Sequence, residues 1–133
     1  MDRTPPQLAA RLPSHASALP IARGAVDSFE LSPALREDAR LIVSELVANA
    51  VRHGQGTITL LLSRAGDGSF RGEVVDDGDG FRPGKKPADL GEGGWGLDIV
   101  DHLSETWGIA RGAARVWFQM PSDSALAHPV TRT

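Results

Sequence analysis

The sequence predicts an α+β fold: a two-layer sandwich whose mostly antiparallel mixed sheet is covered on one face by helices. Three observations predict it. The run Pro33 to His53 repeats apolar residues at helical spacing. Two pairs of short strand-like runs, Thr57 to Ser63 with Phe70 to Val75 and Ser104 to Ile109 with Arg115 to Met120, each flank a glycine-bearing turn. Between the pairs, Arg82 to Gly94 holds two Pro and four Gly without hydrophobic periodicity, the kind of long loop that is functional or disordered in a compact domain.

In chain order, residues 1–14 carry three prolines and few apolar residues, predicting a flexible lead-in with at most a short edge strand near Ala9 to Leu12. Ser14 or Ser17 can cap a helix to about Phe29, with Leu19, Ala22, Val26 and Phe29 at helical spacing. Ser32-Pro33 is a start signal for the long helix, hydroxyl as cap and proline in the first turn, and Gly54 predicts a left-handed stop. Ala65-Gly66-Asp67-Gly68 turns the first hairpin. Leu97 to about Leu103 is a short helix carrying Leu97, Val100 and Leu103, and the second hairpin turns about Arg111-Gly112. The resulting division is a flexible segment over 1–10, one domain over 11–120 and a polar tail over 121–133.

Composition removes several classes. The net charge of -3, from 14 basic and 17 acidic residues with no like-charge run, lacks the footprint of direct nucleic-acid binding. The absence of cysteine excludes disulfides, thiolate metal sites and a cysteine nucleophile. No apolar run suits export or membrane insertion, so the expected location is cytoplasmic. His15, His102 and His128 lack ligand spacing, and Trp107 and Trp117 are expected in the core.

On the long helix, Glu45 and Asn49 sit about 40° apart. Leu35, Ala39, Ile42, Val43, Leu46, Val47 and Ala50 form the apolar stripe, with Glu45 and Asn49 at its border. A partly shielded carboxylate can act as a base, and an amide oxygen suits a hard cation. Alone, the pair reads as a surface acid and a helix-end amide. Asp76-x-Gly78-x-Gly80 follows a strand, where a carboxylate can accept from an exocyclic amino group, as on adenine, and the glycines let a flat ligand near the main chain. Alone, that motif is an acidic turn. Asp77 and Asp79 fall on the opposite side and are expected to be solvated. Gly91-x-Gly93-x-x-Gly96 matches a dinucleotide fingerprint in letters but lacks the strand that must precede it, and Gly84-Lys85-Lys86 lacks the first glycine and the hydroxyl residue of a phosphate loop.

Three elements remain in order: Glu45 to Gly54, Asp76 to Phe81, and Gly94-Trp95-Gly96-Leu97. Together they resemble the GHKL ATP-binding domains of the Bergerat fold, and within them the small bacterial anti-sigma factor serine/threonine kinases, over about Leu12 to Met120. The resemblance implies ATP and Mg2+ as cofactors. It implies that Asn49 binds Mg2+ and that Glu45 orients or deprotonates the attacking hydroxyl. Asp76 then reads the adenine amino group beside Gly78 and Gly80, Gly94 and Gly96 seat the phosphates, and Trp95 and Leu97 complete the third box. Arg82 to Gly93 is the corresponding lid. The implied partners are an anti-anti-sigma (STAS-type) protein and a sigma factor, and a homodimer is expected.

Two departures from the family pattern stand out: Glu92 and Gly93 replace a basic residue before the third box, and Ala114-Arg115 replace a threonine on the closing strand. Lys85 or Lys86 is a substitute cation or a solvated loop residue, and Arg115 meets phosphate or points outward. A protein serine kinase acting as a transcriptional switch is the first expectation. A non-catalytic interaction module of the same fold is the second. A sensor histidine kinase fragment is disfavoured because no dimerisation hairpin is present.

Overall fold

Side-chain alternation along the strands determines where the core lies. The computed structural model describes residues 7–78, 97–110 and 114–122. Its elements are β1 (Leu8–Leu12), α1 (Ala18–Asp27), α2 (Pro33–His53), β2 (Ile58–Arg64), β3 (Phe70–Val75), α3 (Leu97–Leu103), β4 (Thr106–Ala110) and β5 (Arg115–Met120). The strands form one sheet in the order β1-β2-β3-β5-β4, with every described pairing antiparallel. Ile58, Leu60 and Leu62 of β2, Phe70 and Val74 of β3 and Phe118 and Met120 of β5 point to the helices, where they bury against α1, α2 and α3. This is the α+β sandwich that the two hydrophobic periods predict.

All seven apolar residues assigned to the stripe of α2 are buried, and Asn49 is buried with them. Ser32 accepts from the backbone N–H of Leu35 at 3.3 Å and Pro33 opens the helix, as the sequence requires. α1 lies against α2, where Arg23 donates to Ser44 at 2.9 Å and Arg40 pairs with Asp27 at 3.5 Å. Its start differs from expectation. Ser17 precedes the helix in αR geometry and makes no capping bond; its hydroxyl instead meets His15 Nδ1 at 2.7 Å. Phe29 lies beyond the end of α1, yet its ring packs edge-on against Phe70 with centroids 5.2 Å apart. β1 begins at Leu8, inside the segment expected to be flexible, because Leu8, Ala10 and Leu12 alternate inward along the edge of β2.

Trp117 departs from the expected core placement, whereas Trp107 packs against the core. Trp107 and Trp117 are half-buried. Trp107 leans on the core but keeps its indole N–H for Asp101, at 2.8 Å. Trp117 lies on the helix-free face, with the Arg71 guanidinium 5.0 Å above its ring. On that face Glu73 pairs with Arg71 at 3.3 Å and also with Arg115. Arg115 therefore points outward, away from the helices.

Two glycines give opposite tests of packing. At Gly72 a Cβ would come within 2.6 Å of Phe118 Cζ and 3.0 Å of Leu62 Cδ2, so Gly72→Ala is expected to destabilise by about 1–3 kcal/mol. Gly24, within α1, has nothing within 4 Å of the same position. There Gly24→Ala is expected to stabilise by about 0.5–1 kcal/mol. Urea midpoints of the two variants check both signs; a Gly72→Ala protein as stable as wild type contradicts the packing of β3 on β5.

Candidate functional site

The site is built where α2 ends. Because β2 leaves α2 through the short connection Gly54 to Thr57, and β3 returns antiparallel to β2, the end of β3 must lie beside the last turn of α2. Thr59 pairs with Val75, which places Asp76 there. Its backbone N–H donates to Ala114 O at 3.0 Å, tying the same point to the start of β5.

Gly54 was expected to stop α2 in a left-handed conformation. It is instead extended, with φ -84 and ψ -176, and its N–H donates to Ala50 O at 2.9 Å. Glycine is required there by contact. A Cβ at Gly54 would lie 2.5 Å from Asp76 Oδ2 and 2.6 Å from Ala50 O, both below any normal contact. The positive φ belongs to Gly56, at 68°. The Asp76 carboxylate thus rests on the last turn of α2, which begins one residue after Asn49.

Asp76 Oδ1 accepts from the Gly78 N–H at 2.7 Å and, at the long distance of 3.4 Å, from the Gln55 N–H. Among the described residues no hydrogen bond uses Asp76 Oδ2, so that oxygen could accept from a further donor. Asn49 is 7% exposed, and its side-chain oxygen accepts from Arg52 Nη2 at 3.0 Å. An amide oxygen is a hard donor that could serve a divalent ion together with waters, in competition with Arg52. Glu45, one turn earlier on α2, is half-buried. Among the described residues no cluster of three His, Cys, Asp or Glu side chains could cage a metal.

The third element is represented by its last residue. Leu97 opens α3 and is 2% exposed in the hydrophobic core, so its side chain anchors α3 against α2. Gly80, Gly94, Trp95 and Gly96 lie outside the described residues, as do the lid expected over Arg82 to Gly93, Lys85, Lys86 and the second turn at Arg111-Gly112. Of the predicted site residues described, Asp76 and Gly78 are joined by a hydrogen bond, and Glu45 and Asn49 lie one turn apart on α2, the helix against whose end Asp76 rests.

Sequence reasoning missed two contributors. Arg52, read as closing the helix dipole, reaches Asn49 three residues back, a spacing that places both on one helical face. Asp77, expected to be solvated, is exposed but accepts from the Thr57 N–H at 2.7 Å. The Gln55-Gly56 turn was the available signal, since a tight turn leaves N–H groups in need of acceptors.

Helices on one face of an antiparallel sheet, with an acid-and-amide helix ending on an Asp-x-Gly turn, define an α+β domain of the GHKL ATPase type. The chain belongs to the histidine kinase-like ATPase domain family, whose model matches residues 8–120. Family membership implies ATP binding and, as a rule, Mg2+. Two similar solved structures are the blue-light activated histidine kinase EL346 of Erythrobacter litoralis and the histidine kinase domain of that protein. The first has a TM-score of 0.62 at 19% identity over 84% of this chain and 42% of the other; the second has 0.57 at 21% identity over 83% and 63%. The chain thus spans less than two thirds of either. At such identities the likeness carries the fold. No curated protein matches the chain. Among the described residues no helix is long and apolar enough to cross a membrane.

The contact at Gly54 is open to direct test. Gly54→Ala is expected to destabilise by about 1–3 kcal/mol and to shift the backbone amide resonance of Gly78, whose partner is the carboxylate that must move. Normal stability with an unmoved Gly78 resonance would show that Asp76 does not rest on α2.

Proposed function

We propose that this chain binds ATP with Mg2+ and transfers the γ-phosphoryl group to a serine of an anti-anti-sigma (STAS-type) partner, controlling transcription by alternately holding a sigma factor. The observation that carries the nucleotide reading is the seating of the Asp76 carboxylate on the end of α2, the helix that carries Glu45 and Asn49. Base recognition and cation binding then fall at one end of one helix. The serine acceptor, the regulatory partners and a homodimeric assembly rest on the motif resemblance, and the cytoplasm is the location proposed with them.

In this mechanism Asp76 Oδ2 accepts from the exocyclic amino group of adenine while Oδ1 stays on the Gly78 and Gln55 N–H groups. The Asn49 oxygen is the protein group that would hold Mg2+, whose charge offsets that of the phosphates when bound. Arg52 must then leave that oxygen, and its charge becomes available to phosphate. Glu45 orients the serine hydroxyl and takes its proton as the serine Oγ–phosphorus bond forms and the bond to the ADP oxygen breaks.

A second reading, a module that works by protein contact without transfer, is favoured by one observation. Ala114-Arg115 stand where a phosphate-facing threonine is expected, and Arg115 pairs with Glu73 on the helix-free face of the sheet. The acceptor is also for experiment to decide, because the two similar solved structures are histidine kinases.

Titration with ATP and Mg2+ is expected to show binding that Asp76→Ala weakens by about 10- to 100-fold, the loss of a hydrogen bond to a charged group. Glu45→Gln is expected to keep that affinity while slowing transfer by about 10²- to 10⁴-fold. Acid-stable phosphoserine on the cognate partner supports the kinase. Tight ATP binding with no phosphoserine transfers support to the module, acid-labile phosphate points to a histidine acceptor, and absence of ATP binding removes the nucleotide reading.

A further inference from the structure

We infer that Asp77 is a positioning residue: through the connection Gly54 to Thr57 it fixes the orientation of Asp76, and so governs recognition of the 6-amino group of the base. The inference rests on the nucleotide reading above and concerns a residue that touches no ligand. The connection is held from two segments of the chain, the end of β3 and Ser14. Asp77 Oδ2 accepts from the Thr57 N–H at 2.7 Å, and the Asp77 N–H donates to Gln55 O at 2.8 Å. Asp76 Oδ1 takes the Gln55 N–H at 3.4 Å. From the other side, Ser14 Oγ donates to Gly56 O at 2.5 Å.

Gly56 makes the arrangement feasible. With its φ at 68°, the N–H groups of Gln55 and Thr57 both meet carboxylates at the end of β3. A Cβ at Gly56 would lie 2.9 Å from the Asp77 Cβ, so the carboxylate packs directly on the turn. The two consecutive acids thereby divide the work. Asp77 is exposed and spends its carboxylate on the turn, while Asp76 is half-buried and keeps one oxygen clear of backbone donors.

The Gln55–Asp76 bond is too long to hold the carboxylate unaided. The 2.7 Å charge-assisted bond of Asp77 holds the same turn in place two residues on, and that keeps Gln55 within reach. Removing it should let the turn drift and let Asp76 rotate about its remaining bond to Gly78. A purely structural role would weaken every nucleotide alike. A positioning role weakens only those with a 6-amino group.

The test compares ATP with inosine triphosphate, which carries oxygen at that position, on the full chain. Asp77→Ala is expected to lower ATP affinity by about five- to tenfold while changing inosine triphosphate affinity by less than about twofold. Asp77→Asn, whose amide oxygen can accept from Thr57, is expected to restore the wild-type ratio. A parallel measurement needs no nucleotide: amide hydrogen exchange at Gln55 and Thr57 is expected to accelerate in Asp77→Ala while α2 stays protected, and to recover in Asp77→Asn. Equal losses for the two nucleotides, an unchanged ratio, or unaltered exchange overturns the positioning role. Wild-type protein that binds neither nucleotide defeats the nucleotide reading instead, and the exchange measurement then still decides whether Asp77 holds the turn.

Discussion

The close approach of β3 to the end of α2 is the constraint from which the site follows. A helix and a strand that merely share a core can slide by a residue, and a one-residue slip along a strand reverses which side chain faces which layer. Here sliding is blocked at a point without a side chain. Gly54 admits the Asp76 carboxylate into space that any Cβ would fill, and the same glycine keeps its N–H on Ala50 O. The β2–β3 and β3–β5 registers then carry that fixed point across the sheet, so that Asp76 also meets Ala114. Distant stretches of sequence converge because two antiparallel returns end where the helix ends.

The two faces of the sheet divide apolar burial from charge. Toward the helices, β2, β3 and β5 present Ile, Leu, Val, Phe and Met, with the Phe29, Phe70 and Phe118 rings in contact across the layer. On the other face, Glu73 lies between Arg71 and Arg115 beside Trp117. Those ion pairs are partly exposed and add little stability. The register of β5 puts Arg115 on the outer face, where Glu73 engages it, while the Asn49 oxygen is met by Arg52.

Much of this fold was legible because period-2 and period-3.6 patterns report directly on which side faces the core. β3, β5 and α3 have the predicted bounds, and every stripe residue assigned to α2 is buried. What escaped were features set by partners far away in the chain. A glycine required for contact and a glycine required for handedness are the same letter, so Gly54 received the role that belongs to Gly56. Strand alternation sent Asp77 to solvent correctly, but alternation says nothing about an N–H 20 residues away in sequence that needs an acceptor. Trp117 was assigned to the core by size, whereas a large flat face also suits a rim with Arg71 as neighbour. The glycines of the third element were legible as a motif. Their placement is outside the described residues.

On the function proposed, the base is read by the Asp76 carboxylate. A single carboxylate can do that only if it is ordered before the ligand arrives, since the entropy of fixing a freely rotating side chain would otherwise be drawn from the affinity. Asp76 meets that condition through its fold contacts: the Gly78 N–H takes one oxygen, Gly54 leaves room for the other, and the connection to β2 is clamped by Asp77 and Ser14. The cation end is arranged differently. Asn49 is held by Arg52, an exposed side chain that can move, so a divalent ion would exchange one positive charge for another and would not have to expose a bare amide oxygen. On the function proposed, a rigid base end and an exchangeable phosphate end would let nucleotide be selected by its ring while its phosphates, and the ion they bring, stay free to rearrange as a phosphoryl group leaves.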